Sequence, residues 1–452
     1  MMNINNIQTV YFLGVGGIGM SALARYFKLH GCDVLGYDKT QTPLTIQLES
    51  EGISIHYTPD ANCIRENVDL VVYTPAVSGD NPEWTAIRDR GLVTMKRAEV
   101  LGLISNSGKC LAVAGTHGKT TTSAILTHIF KHCSGEINAF VGGILTNYET
   151  NFLYSDQSEN FVVEADEFDR SFLHLKPQIA VINSIDADHL DIYGEEASLI
   201  DSFKDFANRI HANGKLIVNR AIPSIFELEN VTVETFGIEQ NATYVARNLH
   251  VVDGKYQFDF YHPGGVVSGV ELMLPGRHNV ENAIAAMAVA INSGLDANMV
   301  AKAVGAFKGV KRRFEITRQV DGMVYVDDYA HHPTEISRVL ESAREMYSGK
   351  KLSVIFQPHL YSRTRDFEIE FAEALSGFDE VILLDIYPAR ELPIEGVTSE
   401  RLLEKVTTEP KQIIEKSKVV DYLKQNEFEV LFTLGAGDID TLVEPIKELI
   451  VA

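Results

Sequence analysis

Short runs of apolar, β-branched residues alternate along the chain with stretches in which apolar residues recur every three or four positions. In the first hundred residues QTVYFLG, CDVLGYD and VDLVVYTPAV show the first pattern and GMSALARYFKLHG the second. Such alternation predicts parallel strands joined by helical crossovers. The rhythm restarts near Lys109 with CLAVAG and TTTSAILTHIF, then runs through FVVEAD and IAVINS to the alanine-rich VENAIAAMAVAINSG. It restarts again near Glu315, where MVYVDD, KLSVIFQ, EVILLDI and EVLFTLG are separated by stretches such as PTEISRVLESAREMY. We therefore expect an α/β protein of three domains, 1–108, 109–314 and 315–452, with no Pro/Ser/Gly-rich linker or short repeat marking the joins.

Composition narrows the class. The 452 residues are 45% hydrophobic and 23% charged, which excludes a disordered, collagen-like or multi-span membrane chain. With 40 Lys and Arg against 62 Asp and Glu the net charge is −22, so a broad surface for nucleic acid or anionic lipid is not expected. An anionic small molecule would have to be held by local positive charge or backbone N–H groups. The cysteines Cys32, Cys63, Cys110 and Cys133 contain no CxxC pair and read as reduced thiols of a cytoplasmic protein. Asn3 to Ala24 carries no charge, but it lacks a basic start and is broken by glycines, so it reads as a strand and turn, not an export signal.

Two glycine loops stand out. GVGGIG, Gly14 to Gly19, lies between a strand and a helix, and Asp38 ends the next strand. The glycines permit a tight turn and close approach of a diphosphate to a helix N-terminus, which suits a dinucleotide or another diphosphate-bearing ligand. AGTHGKTTT, residues 114–122, follows an apolar strand and opens a helix, as a phosphate-cradling P-loop does. There Lys119 would bring positive charge and the Thr120 hydroxyl would reach a Mg²⁺ ion. Val113 stands where strict spacing requires glycine, so the motif is a shortened variant.

Acidic and basic clusters follow. EADEFD and IDADHLD both end β-runs, where a nucleotide's metal ion would need hard oxygen ligands. Glu164 is the better ligand candidate, His189 is a ligand or a capping or packing residue, and Asp166, Glu167 and Asp191 are either further acidic groups of the site or simply solvated loop carboxylates. KRRF at 311–314, DDYAHHP at 327–333 and QPHLYSRTRD at 357–366 gather arginine and histidine on an otherwise acidic chain, which suits carboxylate and phosphate binding.

Taken in order, GVGGIGMSALA, AGTHGKTTT, EADEFDRSFLHLKP, DADHLD, PGRHNVENA, GVKRRFE, DDYAHHPTEI, QPHLYSRTRDF, DIYPARELPIEGV and LGAGDI resemble the Mur ligase family over nearly the whole chain. The resemblance implies an N-terminal Rossmann-like domain for the UDP part of a sugar nucleotide, a central P-loop ATPase domain and a C-terminal Rossmann-like domain carrying the amino-acid site. It assigns the diphosphate at Gly14, Gly16, Gly17, Ile18 and Gly19 to UDP and not NAD, with Asp38 and Thr74 alongside. Gly115, Thr116, His117, Gly118, Lys119, Thr120 and Thr121 would hold ATP, Lys119 at the γ-phosphate. Thr120, Glu164 and His189 would hold Mg²⁺, with Mn²⁺ as an alternative. Asn279 and Asn282 would approach adenine, and Arg313 and Asp328 would be nucleotide contacts between domains. Tyr329, His359 and Arg363 would recognise the amino acid.

The implied substrates are ATP, L-alanine and UDP-N-acetylmuramate, joined through an acyl phosphate by a cytoplasmic monomer or homodimer without nucleic-acid or membrane partners. His359 is expected to titrate near neutral pH and to take the proton of the amine. Leu360 replaces an arginine common in relatives, and Phe168 replaces a serine. The rival readings are a related ligase that attaches a whole peptide, an NAD-dependent oxidoreductase, and a nucleotide switch without catalysis.

Overall fold

The computed structural model describes residues 4–75, 77–186, 196–239, 241–252, 255–320, 322–389 and 391–450. Among them three sheets form, one for each stretch of alternating pattern. The first has β1 (Thr9–Leu13), β2 (Asp33–Tyr37), β3 (Ser54–His56), β4 (Leu70–Tyr73) and β5 (Thr94–Lys96) in the order β3-β2-β1-β4-β5, every neighbouring pair parallel. Alternate residues face two cores: Val10 and Phe12 join Val34 and Val72 on one side, Tyr11 and Leu13 join Leu35 and Val71 on the other. A parallel strand is covered on both faces by its crossovers, which is why TVYFL is a continuous apolar run.

The second sheet contains β6 (Lys109–Ala114), β7 (Asn138–Leu145), β8 (Thr150–Leu153), β9 (Asn160–Glu164), β10 (Ile179–Ile182), β11 (Lys215–Asn219), β12 (Thr232–Ile238), β13 (Tyr244–Val252), β14 (Lys255–His262) and β15 (Gly265–Leu272). Its order is β15-β14-β13-β12-β11-β10-β6-β9-β7-β8, parallel across the central β10-β6-β9 and antiparallel at the β7-β8 edge. The third sheet, β16 (Glu315–Val320), β17 (Met323–Asp328), β18 (Leu352–Phe356), β19 (Glu380–Leu383), β20 (Lys411–Ile413) and β21 (Val430–Leu434), has the order β16-β17-β21-β18-β19-β20. Only its β16-β17 pair is antiparallel among the described residues.

One apolar core runs from Phe12 and Phe27 through Phe140 and Phe152 to Phe172 and Phe203, so the first sheet and the centre of the second share an interior. Each such ring buried contributes roughly 1.5–3 kcal/mol. The seam is the helix Ile18–Leu29, whose Tyr26 ring lies 6.0 Å from Phe140. Polar groups at that seam are paired: buried Arg25 grips Glu51 through Nε and Nη2 and donates from Nη1 to Asn151 Oδ1 at 2.6 Å. Accordingly the first sheet and the centre of the second belong to one compact unit, and the third sheet belongs to another. No helix among the described residues is long and apolar enough to cross a membrane.

Strand order decides where ligands can sit. β1 lies between β2 and β4, and β6 between β9 and β10, so the first two sheets each open a crevice at the carboxyl edge beside a glycine loop.

Candidate active site

In the first crevice Gly14 has φ +92, a conformation costly for any residue with a Cβ, and a Cβ there would stand 2.8 Å from Thr74 Cγ2. Its N–H donates to Tyr37 O at 2.8 Å, which folds the loop back over β2. The Gly16 N–H donates to Asp38 Oδ2 at 2.7 Å. Gly17 caps the helix Ile18–Leu29, and the Ile18 carbonyl accepts from Ser21 Oγ at 2.8 Å and Asn151 Nδ2 at 2.6 Å. Gly14, Gly16, Gly17, Ile18, Gly19, Asp38 and Thr74 thus meet at one edge. The sequence reading missed Arg97, whose Nη1 lies 2.7 Å from where a Cβ on Gly19 would fall and whose Nη2 reaches Asp166 Oδ2 at 3.4 Å. A cleft lined by Arg97, Glu164, Asp166, Ser171 and Phe172 opens beside it. No spacing in the sequence ties residue 97 to residues 19 and 166.

The second crevice is built around β6. Gly118, at φ +78, caps the helix Lys119–Ser134, and a Cβ on it would meet Asn282 Oδ1 at 2.4 Å. The first N–H groups of that helix have no partner within it and favour an anion. Lys119 Nζ donates to Gly115 O and to Glu167 Oε1, each at 2.8 Å. Thr120 Oγ1 donates to Glu164 Oε1 at 3.0 Å, while the Gly142 N–H holds Glu164 Oε2 at 2.8 Å. Thr116 Oγ1 and Ser184 Oγ are 2.8 Å apart, and the His117 N–H donates to Ser184 Oγ at 2.9 Å. Thr121 is half-buried in the first turn of the helix.

Glu167 is not a solvated loop carboxylate: it is 0% exposed and ion-paired with Lys119. A carboxylate can be buried there because the ammonium compensates its lost hydration. Asp166 is half-buried against Arg97, and Phe168 is exposed. Burial works against the Lys119 ammonium, but the carboxylates of Glu167, Asp166 and Glu164 outweigh it and hold the amine above its ordinary value. His189 and Asp191 lie outside the described residues.

Asn282 is buried and accepts from Thr122 Oγ1 at 3.1 Å. Asn279, one turn earlier on the helix Arg277–Asn292, donates to Pro275 O at 2.6 Å.

In the second unit the carboxyl edge of the third sheet gathers the remaining candidates. Asp328 ends β17 and accepts from the N–H groups of Phe314 at 2.6 Å and Ala330 at 2.7 Å. Burial pushes its carboxyl up to about 6, although Arg313 and those two N–H groups favour the ionised form. The Arg313 guanidinium stands 5.4 Å from the Tyr329 ring centre. Tyr329 packs on His331 with ring centres 5.2 Å apart, and His331 on His359 at 5.8 Å. Arg363 is close enough to push both imidazoles down, and Glu391 draws His359 the other way.

Tyr329, His359 and Arg363 therefore share one pocket with His331, which the sequence reading did not single out. His359 departs from expectation: burial, reinforced by His331 and Arg363, pushes it down to about 4. At neutral pH it is an uncharged hydrogen-bonding group, too weak a base to strip an ammonium. Among the described residues, the buried atoms His359 Nδ1 and Arg363 Nη1 have no hydrogen-bond partner. Leu360 adopts φ 72, with its N–H on Tyr387 O at 3.0 Å, and the helix Tyr361–Asp366 starts directly after it.

A glycine loop, a P-loop flanked by carboxylates and a third, mostly parallel sheet bearing clustered arginine and histidine define an α/β protein of the P-loop nucleotide-binding type. Residues 9–109 match the profile of the Mur ligase family, catalytic domain; 113–290 the Mur ligase middle domain; and 312–437 the Mur ligase, glutamate ligase domain. The chain is 48% identical over 451 residues to the UDP-N-acetylmuramate–L-alanine ligase of Flavobacterium psychrophilum, covering 99% of each chain. It is 49% identical over 450 residues to that of Porphyromonas gingivalis, covering 98% of this chain and 99% of the relative. Among solved structures, the UDP-N-acetylmuramate-alanine ligase of Thermotoga maritima superposes with a TM-score of 0.84 at 29% identity, covering 98% of this chain and 99% of that one. The chain belongs to the Mur ligase family.

Proposed function

We propose that this chain joins L-alanine to the lactyl carboxylate of UDP-N-acetylmuramate, converting ATP to ADP and phosphate, in peptidoglycan precursor synthesis. The observation that carries this reading is the match at 48% identity, covering 99% of this chain and of the relative, to a ligase of that name. The geometry supports it independently, since the P-loop lysine and two carboxylates converge on one cradle in the unit that also holds the first glycine loop.

A carboxylate is a poor acylating agent, so the lactyl oxygen first attacks the γ-phosphorus of ATP, giving an acyl phosphate and ADP. The uncharged amine of L-alanine then attacks the acyl carbon, phosphate leaves and the nitrogen loses a proton. Lys119 and the helix N-terminus stabilise negative charge on the transferring phosphoryl group. Arg97, near Gly19 and lining the same cleft as Glu164, would orient the sugar acid. Thr120 and Glu164, an all-oxygen pair already in contact, fit Mg²⁺, which would neutralise phosphate charge when bound. Arg363 would pair with the alanine carboxylate and Tyr329 would wall its side chain. The uncharged His359 would hydrogen-bond the amine, its proton passing to solvent. The chemistry suits the cytoplasm, where ATP and the sugar nucleotide are available, and a monomer or homodimer suffices.

The test is phosphate release from ATP with UDP-N-acetylmuramate, each of several amino acids being supplied or omitted in turn. Release that depends on L-alanine is expected. Release only with a whole peptide would favour the related recycling ligase, ATP binding without release a nucleotide switch, and reduction of a nicotinamide an oxidoreductase.

A further inference from the structure

The segment after β9 performs two jobs with carboxylates three residues apart. Glu164, at the strand end, is committed to the Thr120 hydroxyl and the Gly142 N–H. Glu167, on the following turn, reaches Lys119. Between them Asp166 turns outward to Arg97.

The turn that aims Glu167 inward is strained. Asp169 has φ 51 and Arg170 φ 54, left-handed values that favour glycine, yet neither is glycine. The strained residues are fastened on both sides. The Arg170 N–H donates to Glu167 O at 2.9 Å, the Phe172 N–H donates to Asp166 O at 2.9 Å, and Asp169 pairs with Lys96 at 3.1 Å. Buried Phe172 stacks on Phe206 with ring centres 4.8 Å apart and meets Phe203 edge-on at 5.4 Å. The apolar core thus holds a costly backbone whose visible result is one fully buried carboxylate on one functional ammonium. A salt bridge serving only the fold would not need that partner, and burying an ion pair is weak evidence of stabilisation.

We propose that Glu167 is the positioning residue of the P-loop lysine, its carboxylate holding the Lys119 ammonium against the Gly115 carbonyl at the place where the γ-phosphate arrives. Glu167 does not touch substrate; it acts through Lys119. This rests on the ATP-dependent reading above. When the phosphate binds, it takes over part of the coordination of the ammonium, and Glu167 keeps the long lysine side chain from spreading over alternative rotamers.

The test compares Glu167→Gln, Glu167→Asp and Glu167→Ala with Lys119→Ala and the double variant Lys119→Ala/Glu167→Ala. The readouts are kcat, the KM for each substrate, and the affinities for ATP and ADP with Mg²⁺. Expected are a fall in kcat of about a hundredfold for Glu167→Ala, a smaller fall for Glu167→Gln, which still accepts a hydrogen bond, and little change in the KM for UDP-N-acetylmuramate. The preference for ATP over ADP should shrink, and the double variant should bind ATP no worse than Lys119→Ala alone, because both changes remove the same interaction. Native kcat in Glu167→Gln and Glu167→Asp, or losses in ATP affinity that add in the double variant, would overturn the proposal. Should Glu167→Ala fail to fold, the two conservative variants carry the test. If the native protein shows no release that depends on L-alanine, the ligase reading falls, while the ATP and ADP affinities still decide the role of Glu167.

Discussion

The two glycine loops of the first unit are built alike and charged differently. Each follows a strand at a carboxyl edge, each needs a left-handed glycine, Gly14 at φ +92 and Gly118 at φ +78, and each opens a helix. In the first, the loop N–H of Gly16 meets the carboxylate of Asp38, and the nearby cation, Arg97, comes from another strand end. In the second, the cation is Lys119, inside the motif itself and paired with buried Glu167. Backbone N–H groups suffice to hold a diphosphate that does not react. A phosphoryl group in transfer also needs a positive charge fixed in place, because reorganising a loose one at the moment of reaction would raise the barrier.

That contrast can be broken most severely at the lysine of the second loop. Lys119→Ala should lower turnover by about a thousandfold or more while calorimetric titration of UDP-N-acetylmuramate stays near native, since the diphosphate loop is untouched. Next come the mirrored glycine changes. A Cβ on Gly118 would collide with Asn282 Oδ1, and one on Gly14 with Thr74. Strain of about 1–3 kcal/mol at each predicts up to about a hundredfold loss. Gly118→Ala should show it in kcat/KM for ATP and Gly14→Ala in the KM for the sugar nucleotide, and steady-state kinetics with one substrate varied at a time separate the two.

A smaller effect is expected where the loops are joined. Asn151, fully buried on β8, links Arg25 to the carbonyl of Ile18, so it ties the first glycine helix to the second sheet. Asn151→Ala should cost about 2 kcal/mol, read as a lower denaturant midpoint, because it leaves a buried guanidinium short of an acceptor. Smallest is Asp38→Asn, which keeps an acceptor for the Gly16 N–H but removes the charge. A change of about threefold in the KM for UDP-N-acetylmuramate is expected, with no change for ATP; an equal change in both would show that the loops are not independent.

Much of this arrangement was legible early. The strands QTVYFLG, CLAVAG and MVYVDD announced themselves because both faces of a parallel strand are covered, and both loops were legible because only glycine tolerates their backbone. The edge region from Thr232 to Leu272 went unremarked, although KYQFDFYH alternates in the pattern of a half-buried strand, with buried Tyr256, Phe258 and Phe260. Its residues carry no chemistry that drew notice. His359 was found by its motif, but its low titration point was not, because burial and the approach of His331 and Arg363 arise from separate elements.

What the sequence by itself determined is therefore local: which segments are strands and helices, where the backbone must be glycine, and which residue types can hold phosphate. Tertiary structure alone decided which carboxylate meets which cation. Glu167 and Asp166 are adjacent and chemically similar, yet one is buried on Lys119 and the other half-exposed on Arg97. The choice depends on a strained turn anchored by Phe172 in a core shared by two sheets. Local pattern reports the period of burial along one segment; the partner of a charge depends on distances between segments far apart in the chain, which no period encodes.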